Sequence, residues 1–185
     1  MPIDDPPATI ITSARLDLVP LTAECLAACL DDQREQAAGL LGASFATEWW
    51  EQPEVMSLRL ATLRNDPAQL PWLIRAIVRR TDRLMIGHIG GHDRPGAAYL
   101  EPYAPGGLEF GYTVFAPYRR QGYAIEALGA LMDWAAALGV PSFVLSISPT
   151  NLASLGVARH YGFEPVGSHH DPVDGLELIF RRMAL

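Results

Sequence analysis

The residues best placed to do chemistry form one run, Tyr118-Arg119-Arg120-Gln121-Gly122-Tyr123-Ala124, between an alternating apolar segment and a helical one. Gly122 and Ala124 have no bulk to hold a ligand off, so the main chain there can be approached closely. With a helix starting at this point, the N–H groups of its first turn lack intrahelical acceptors and carry the positive end of the helix dipole. Such an end suits an anion, and a pyrophosphate fits it. Arg119 and Arg120 add two guanidinium groups for charge-assisted bonds to phosphate. A glycine-softened turn flanked by solvated arginines has the same composition.

Other candidate groups carry less chemistry. His88 and His92 have a spacing that would suit a metal on a helix, but a strand reading for His88 breaks that geometry. His169-His170-Asp171 reads as a solvated hairpin tip. Cys25 and Cys29 fall with Leu26 and Leu30 at helical spacing and read as small buried hydrophobes. Two cysteines make neither a disulfide framework nor a four-cysteine zinc site, and no metal is expected. All 14 basic residues are arginine, which removes P-loop, Schiff-base and lysine general-base chemistry together.

The elements that must position these groups follow from periodicity. Arg15 to Val19 alternates as a half-buried strand ended by Pro20, and Thr22 can cap the next helix. From Asp31 to Pro71 the pattern is helical, broken by Gly42, Pro53 and Pro67. Neighbouring indoles cannot both face one core on a helix, so either one of Trp49 and Trp50 lines a cleft or lid, or both are half-buried. Trp72–Val78 and Leu84–Gly90 read as a β-hairpin, Arg94–Gly107 as a Pro/Gly-rich loop, and Leu108–Val114 as a strand running into the arginine-glycine turn. A helix follows with Ile125, Leu128, Leu131, Met132, Ala135 and Leu138 on one face, ended by Gly139 and Pro141. Phe143–Ile147 is then a strand, Asn151–Tyr161 a helix closed by Gly162, and Glu164–Gly167 and Leu176–Met183 two terminal strands. Tyr161 is expected in the core.

At 185 residues the chain has the size of one domain, and without repeats or linkers a single α+β domain over residues 1–185 is expected, its first eleven residues loosely ordered. The net charge of −7 argues against a nucleic-acid or anionic-membrane partner, whose phosphates need a basic face. Met1–Thr9 has no basic or apolar leader pattern and no run approaches a membrane span, so a cytoplasmic, reducing location is expected. Monomer and homodimer are both compatible with the sequence.

Three ordered motifs carry a resemblance to a known family. Arg119, Gly122 and Ala124 match the signature of Gln or Arg, two residues, Gly, one residue, then Gly or Ala. Glu109-Phe110-Gly111-Tyr112 precedes it, and Asn151-Leu152-Ala153-Ser154 with Tyr161-Gly162-Phe163 follows. The chain from Thr12 to Met183 thus resembles the GNAT family of acetyl-CoA-dependent N-acetyltransferases. The Asn-x-x-Ser block and the early Ala14-Arg15-Leu16-Asp17-Leu18 strand are similar to its ribosomal-protein N-terminal acetyltransferase branch.

The resemblance implies a mixed, mainly antiparallel sheet flanked by helices and splayed between the Glu109 and Phe143 strands. It further implies acetyl-CoA as co-substrate and a primary amine, on a small molecule or a protein N-terminus, as acceptor. The backbone of Val114 and Phe115 would pair with the pantetheine arm, and Arg119, Arg120, Gln121, Gly122, Tyr123 and Ala124 would hold the pyrophosphate. Asn151 and Ser154 would touch the cofactor, with helix capping as the alternative for Asn151. Direct attack on a thioester needs a deprotonated amine, a polarised carbonyl and a proton for the thiolate. Glu109 is the expected base, acting through water, with burial raising its pKa. For the thiolate, Ala158 replaces the tyrosine common in the family, which leaves Ser154 as the candidate acid. That replacement also motivates a rival reading, a catalytically silent acyl-CoA-binding or regulatory domain. The loop 94–107 and the segment 31–71 should shape the acceptor pocket, and acidic residues near it would suit a cationic amine.

Overall fold

In the computed structural model, which describes residues 5–171 and 175–184, the first strands are β1 (Ile11–Thr12) and β2 (Leu16–Pro20). Helix α1 (Ala23–Leu30) starts at Thr22, whose side chain accepts from Cys25 N–H as an N-cap. Helix α2 (Arg34–Leu41) ends at Gly42, whose φ of +69° is left-handed, and is followed by the short strand β3 (Ser44–Phe45). A 3-10 turn over Thr47–Glu51 leads into α3 (Pro53–Asn65), with proline at its start. Strands β4 (Arg75–Arg79), β5 (Leu84–Gly91) and β6 (Leu108–Val114) precede α4 (Tyr123–Ala137). The chain closes with β7 (Ser142–Ile147), α5 (Leu152–His160), β8 (Glu164–Asp171) and β9 (Gly175–Met183). These nine strands are mostly antiparallel, as the α+β reading requires.

The chain divides into two compact units, with β6 and α4 running from one into the other. The first unit holds Asp5–Gly90 and Tyr112–Leu131. In it β1, β2, β4 and β5 pair antiparallel in that order, while β3 adds parallel to β5. Helix α1 packs on α2 and α3 over an apolar core that includes Leu26, Trp49, Met56 and Leu73. Trp49 is fully buried on that core and donates from Nε1 to Cys29 Sγ at 3.4 Å, whereas Trp50 lies under the Arg34 guanidinium at 4.5 Å. The adjacent indoles therefore part company, one in the core and one capped by an arginine. Both cysteines are buried thiols, as their spacing suggests.

Several boundaries differ from the sequence reading. Ile11 is buried and paired against Leu18, because its methyls reach the core that β2 covers. Trp72 precedes the strand that begins at Arg75, and its indole donates to Asp5 Oδ1 at 2.8 Å. Arg75 itself is fully buried, with its guanidinium donating to the carbonyls of Thr9 at 2.6 Å and Pro71 at 2.8 Å. On α4, Ala127 is buried while Ile125 is only half-buried, and Leu138 falls just beyond the helix end at Ala137, so the apolar face is rotated slightly from the expected one.

The second unit holds Gly91–Gly111 and the described residues of Met132–Leu185. Here β6, β7, β9 and β8 are neighbours in that order. Antiparallel pairing of β7 with β9 runs over six residue pairs from Ser142–Met183 to Ile147–Leu178. Parallel pairing of β6 with β7 covers only Leu108–Phe143 and Glu109–Val144, after which the ladder ends. Strand β8 runs past Gly167 to Asp171 because an irregularity between Pro165 and Gly167 resets its register on β9. His169 and His170 thus lie on a strand, with His169 opposite Glu177, and are not a hairpin tip. The loop 94–107 is tied by Gly96 N–H to Gly107 C=O at 2.8 Å and sets Leu100 and Ala104 against Val144 and Ile179.

Gly87 shows how tightly the first unit is built. A Cβ there would lie 2.2 Å from the Thr113 carbonyl oxygen, which is main chain and cannot swing aside. Gly87→Ala is expected to lower unfolding free energy by about 1–3 kcal/mol, measured by urea denaturation. An unchanged midpoint would mean that the two strand segments separate at little cost.

Candidate active site

In the second unit a cavity of about 620 Å³ opens beside the last rung of the β6–β7 ladder. Strand alternation puts Glu109 on this side and Phe110 on the other, where its ring stacks on Phe143 with centroids 5.6 Å apart. The walls carry Asp93, Glu109, Asp171 and Glu177, the aromatic rings of Tyr99 and Tyr103, and the apolar side chains of Leu100, Val144 and Ile179. Gly167 leaves room for the Tyr103 ring, since a Cβ there would come within 2.6 Å of it. Among the described lining residues there are four carboxylates and no arginine, while Arg181 reaches the wall from behind, donating to the Tyr103 carbonyl at 2.9 Å.

Glu109 is only 5% exposed. Its Oε2 lies 3.5 Å from His92 Nδ1, and the His92 N–H donates to the Glu109 carbonyl at 3.0 Å. Burial is the largest single influence on this carboxyl and pushes its pKa up. Hydrogen bonds and charge from His92, with further bonds from Ser146 and Tyr99, outweigh burial and hold the pKa below the ordinary glutamate value. The expected upward shift is therefore reversed. Its cause lies in three partners drawn from separate parts of the chain, none of which alternation around residue 109 could reveal.

The arginine-glycine turn lies in the first unit. Arg120 and Gly122 both have positive φ, +60° and +80°, which folds the chain sharply ahead of α4. Arg119 Nε donates to the Val114 carbonyl at 2.8 Å, closing the turn back on the strand end. Phe115 N–H donates to the Ile86 carbonyl at 2.9 Å. Of the backbone groups expected to meet a pantetheine arm, the Val114 carbonyl and the Phe115 N–H are thus engaged within the protein.

The far side of the turn is braced by Glu126, in the first turn of α4. Its Oε1 accepts from Ser13 Oγ and Arg15 N–H, both at 2.7 Å, and its Oε2 from Arg15 Nε at 2.6 Å. Arg15 also donates to the Gln121 carbonyl at 3.0 Å and covers the Tyr123 ring at 4.5 Å. Arg119, Arg120, Gln121 and Gly122 are exposed, Ala124 is partly so, and Tyr123 is buried. These features fit an anion: a fixed left-handed turn, exposed guanidinium groups and the first turn of a helix of 15 residues.

Asn151 caps α5, its side chain accepting from Ser154 N–H at 3.1 Å. Ser154 is half-buried in the first turn and is not among the residues lining the cavity around Glu109. Ala158 is buried and Tyr161 half-buried, with Arg182 over its ring at 5.7 Å. The sequence reading missed His92, Tyr99 and Ser146 as partners of Glu109, and His169 and Glu177, whose side chains meet at 3.4 Å in the cavity wall.

Comparison with solved structures first defines the fold. A putative GnaT-family acetyltransferase from Bordetella pertussis aligns with a TM-score of 0.65 at 20% identity, over 94% of this chain and 99% of its own. An acetyl transferase from Salmonella typhimurium that modifies the N-terminal serine of 50S ribosomal subunit protein L7/L12 gives 0.61 at 18%, over 95% and 99%. The microcin C7 self-immunity acetyltransferase MccE, solved with acetyl-CoA and AMP, gives 0.61 at 15%, over 98% and 99%. No curated protein matches the sequence. The family model for the acetyltransferase (GNAT) domain matches residues 15–164, and the chain belongs to that family.

His88 lies within β5, in the first unit. Its Nε2 is 2.9 Å from Gln52 Oε1, and its ring packs edge-on against Trp49 and Phe115. Burial, aided by the charge of Arg59, pushes its pKa down to about 4. A histidine that resists protonation when folded stabilises the fold fully above the unfolded value of 6.5, and that stabilisation drains away as pH falls toward 4. Unfolding free energy should therefore drop by up to about 3 kcal/mol across this window, and His88→Gln should flatten the drop. Equal slopes for both proteins would place the ring in water.

Proposed function

We propose that this acetyltransferase moves an acetyl group from acetyl-CoA to a positively charged primary amine, on a small molecule or a protein N-terminus, by direct attack on the thioester. The acid-lined cavity beside the last β6–β7 rung carries this reading, because it attracts an ammonium group to the place where the strands part. The family match runs through residues of both units, and we take the chain as one catalytic domain. A cytoplasmic setting agrees with the two buried free thiols.

The residues divide the work as follows. Arg119, Arg120 and the 121–124 backbone hold the pyrophosphate at the start of α4. The β6 backbone leading to Val114 and Phe115, with Asn151 and Ser154 at the start of α5, receives the rest of acetyl-CoA. Glu109 is the general base and, being buried, reaches the acceptor through water. Ser154 returns a proton to the departing thiolate. The rival is a silent acyl-CoA-binding domain, motivated by Ala158. A buried carboxylate bonded to an imidazole in the acceptor cavity favours the enzyme.

Thiol release from acetyl-CoA, followed over a panel of peptide N-termini and small mono- and diamines, decides between them. Release with at least one cationic amine is expected, and binding of acetyl-CoA with release from none would favour the silent domain. Glu109→Gln should keep acetyl-CoA affinity while turnover falls by roughly two to four decades. Raising pH should restore part of the loss, since more acceptor is then neutral in solution. Full rate across the pH range would remove Glu109 from the chemistry.

Cofactor binding should fail first at the turn. Gly122→Val puts a β-branched side chain at a φ of +80°, with its Cβ 3.4 Å from Arg15 Nη2, and should weaken acetyl-CoA binding severely. Arg119→Ala should cost less, on the order of 1–3 kcal/mol. Calorimetric titration of folded variants checks the order, and an unaltered Kd for Gly122→Val would move the pyrophosphate elsewhere.

A further inference from the structure

The Glu126 carboxylate stands in the wrong place for simple electrostatics. It belongs to the first turn of α4, directly after the turn assigned to the pyrophosphate, and its N–H donates to the Gly122 carbonyl at 3.0 Å. A negative charge there would repel an anion. Its bonds show what it holds instead: Oε1 accepts from Ser13 Oγ and the Arg15 N–H, both at 2.7 Å, and Oε2 accepts from Arg15 Nε at 2.6 Å. Burial pushes the pKa of this carboxyl up, and those bonds outweigh burial and keep it below the ordinary glutamate value.

The other end of the Arg15 fork reaches the turn itself. Nη1 donates to the Gln121 carbonyl at 3.0 Å, and the guanidinium covers the Tyr123 ring at 4.5 Å. The 121–122 peptide is trans, so its carbonyl and its N–H point in opposite directions. Holding the Gln121 oxygen toward Arg15 therefore turns the Gly122 N–H away from it, at a glycine that would otherwise leave the peptide free to rotate. The same glycine makes room for the fork, since a Cβ there would lie 3.4 Å from Arg15 Nη2. Arg15 is seated in turn by Arg80, whose N–H donates to the Arg15 carbonyl at 2.9 Å and whose Nη1 donates to the Ser13 carbonyl at 3.2 Å.

We infer that Arg15 and Glu126 are positioning residues for the cofactor: Glu126 holds the Arg15 fork, and Arg15 fixes the direction of the 121–122 peptide before the pyrophosphate arrives. The inference rests on the assignment of the pyrophosphate to this turn. A turn ordered in advance loses less conformational freedom on binding, so the pair raises affinity without touching the ligand. Charge alone makes the opposite forecast. Glu126→Gln removes a negative charge near an anion site and should tighten binding, and Arg15→Lys keeps the positive charge and should change nothing. Positioning requires both to weaken it, because the amide gives up an acceptor of the Arg15 fork and lysine has no planar fork to span Glu126 and Gln121.

The test is the acetyl-CoA Kd by calorimetric titration without acceptor, for wild type, Glu126→Gln, Arg15→Lys, Arg119→Ala, Gly122→Val and Thr22→Ala, each well below its thermal midpoint. Thr22→Ala removes the cap of α1 elsewhere in the same unit and controls for lost stability. Expected are Kd values raised about 10-fold or more in both Glu126→Gln and Arg15→Lys, with Thr22→Ala at the wild-type value. A Glu126→Gln protein that binds as tightly as wild type or tighter overturns the inference. An Arg15→Lys protein with the wild-type Kd does the same, as does a loss in Thr22→Ala equal to theirs. In those cases weakened binding in Arg119→Ala and Gly122→Val leaves the pyrophosphate at the turn. Wild-type Kd values in both of these variants overturn that assignment and this inference together.

Discussion

Two parallel strands that pair for only two residues set the terms for everything else in the second unit. Strand β7 gives its other edge to β9 for its full length, so its place is secured without β6. Strand β6 can then leave after Glu109 at little cost to the unit, and the space between them becomes a mouth. Each functional feature is indexed to that point. Glu109 is on the last rung, Ser146 lies two residues past its partner Val144 and bonds the carboxylate, and Gly111 is the first same-face position beyond. The loop 94–107 roofs the cavity by setting Leu100 and Ala104 on Val144 and Ile179, a small apolar cluster that gives the polar wall a rigid backing.

What could be read from the sequence was whatever depends on neighbours in the chain. The turn at 119–124 was legible because a left-handed position before a helix has a local requirement, glycine, and a local consequence, an electropositive helix end. The cap at Thr22, the stop at Gly42 and the alternation of β6 are legible for the same reason. Glu109 could be singled out by its face, but the direction of its pKa could not. Burial alone argues upward, and the opposing bonds come from residues 92, 99 and 146, brought in by the β5–β6 connection and by β7. His169 was misplaced because hairpin length depends on register, and the irregularity at Pro165–Gly167 leaves no mark in the hydrophobic pattern. Strands of two residues, β1 and β3, are too short for alternation to show.

The two units handle buried charge differently, and the difference separates support from chemistry. In the first unit Arg75 is surrounded by carbonyl oxygens and His88 by an amide and aromatic rings, environments that fix one protonation state. Burial lowers Arg75 to about 10, which still leaves it charged at neutral pH, while His88 stays neutral. Neither is poised to exchange a proton under ordinary conditions. In the second unit the buried carboxylate touches a ring that reaches the cavity, so its charge is felt outside the core.

The arginines follow the same division between the units. Arg15, Arg79, Arg80 and Arg83 are committed to Glu126, Asp82 and Asp17 in the first unit, whereas the cavity is walled by carboxylates without an arginine. A carboxylate wall would draw in an ammonium, and for the same reason it would make that ammonium harder to deprotonate. For the cationic amine we propose as acceptor, recognition and reaction would thus pull in opposite directions, because only the neutral amine carries the lone pair that can attack a thioester. A buried carboxylate whose own pKa is held down is a weak acceptor for that proton. Holding that carboxylate in the cavity wall keeps its charge where it would attract a cation, so the partners that keep it ionised serve recognition first.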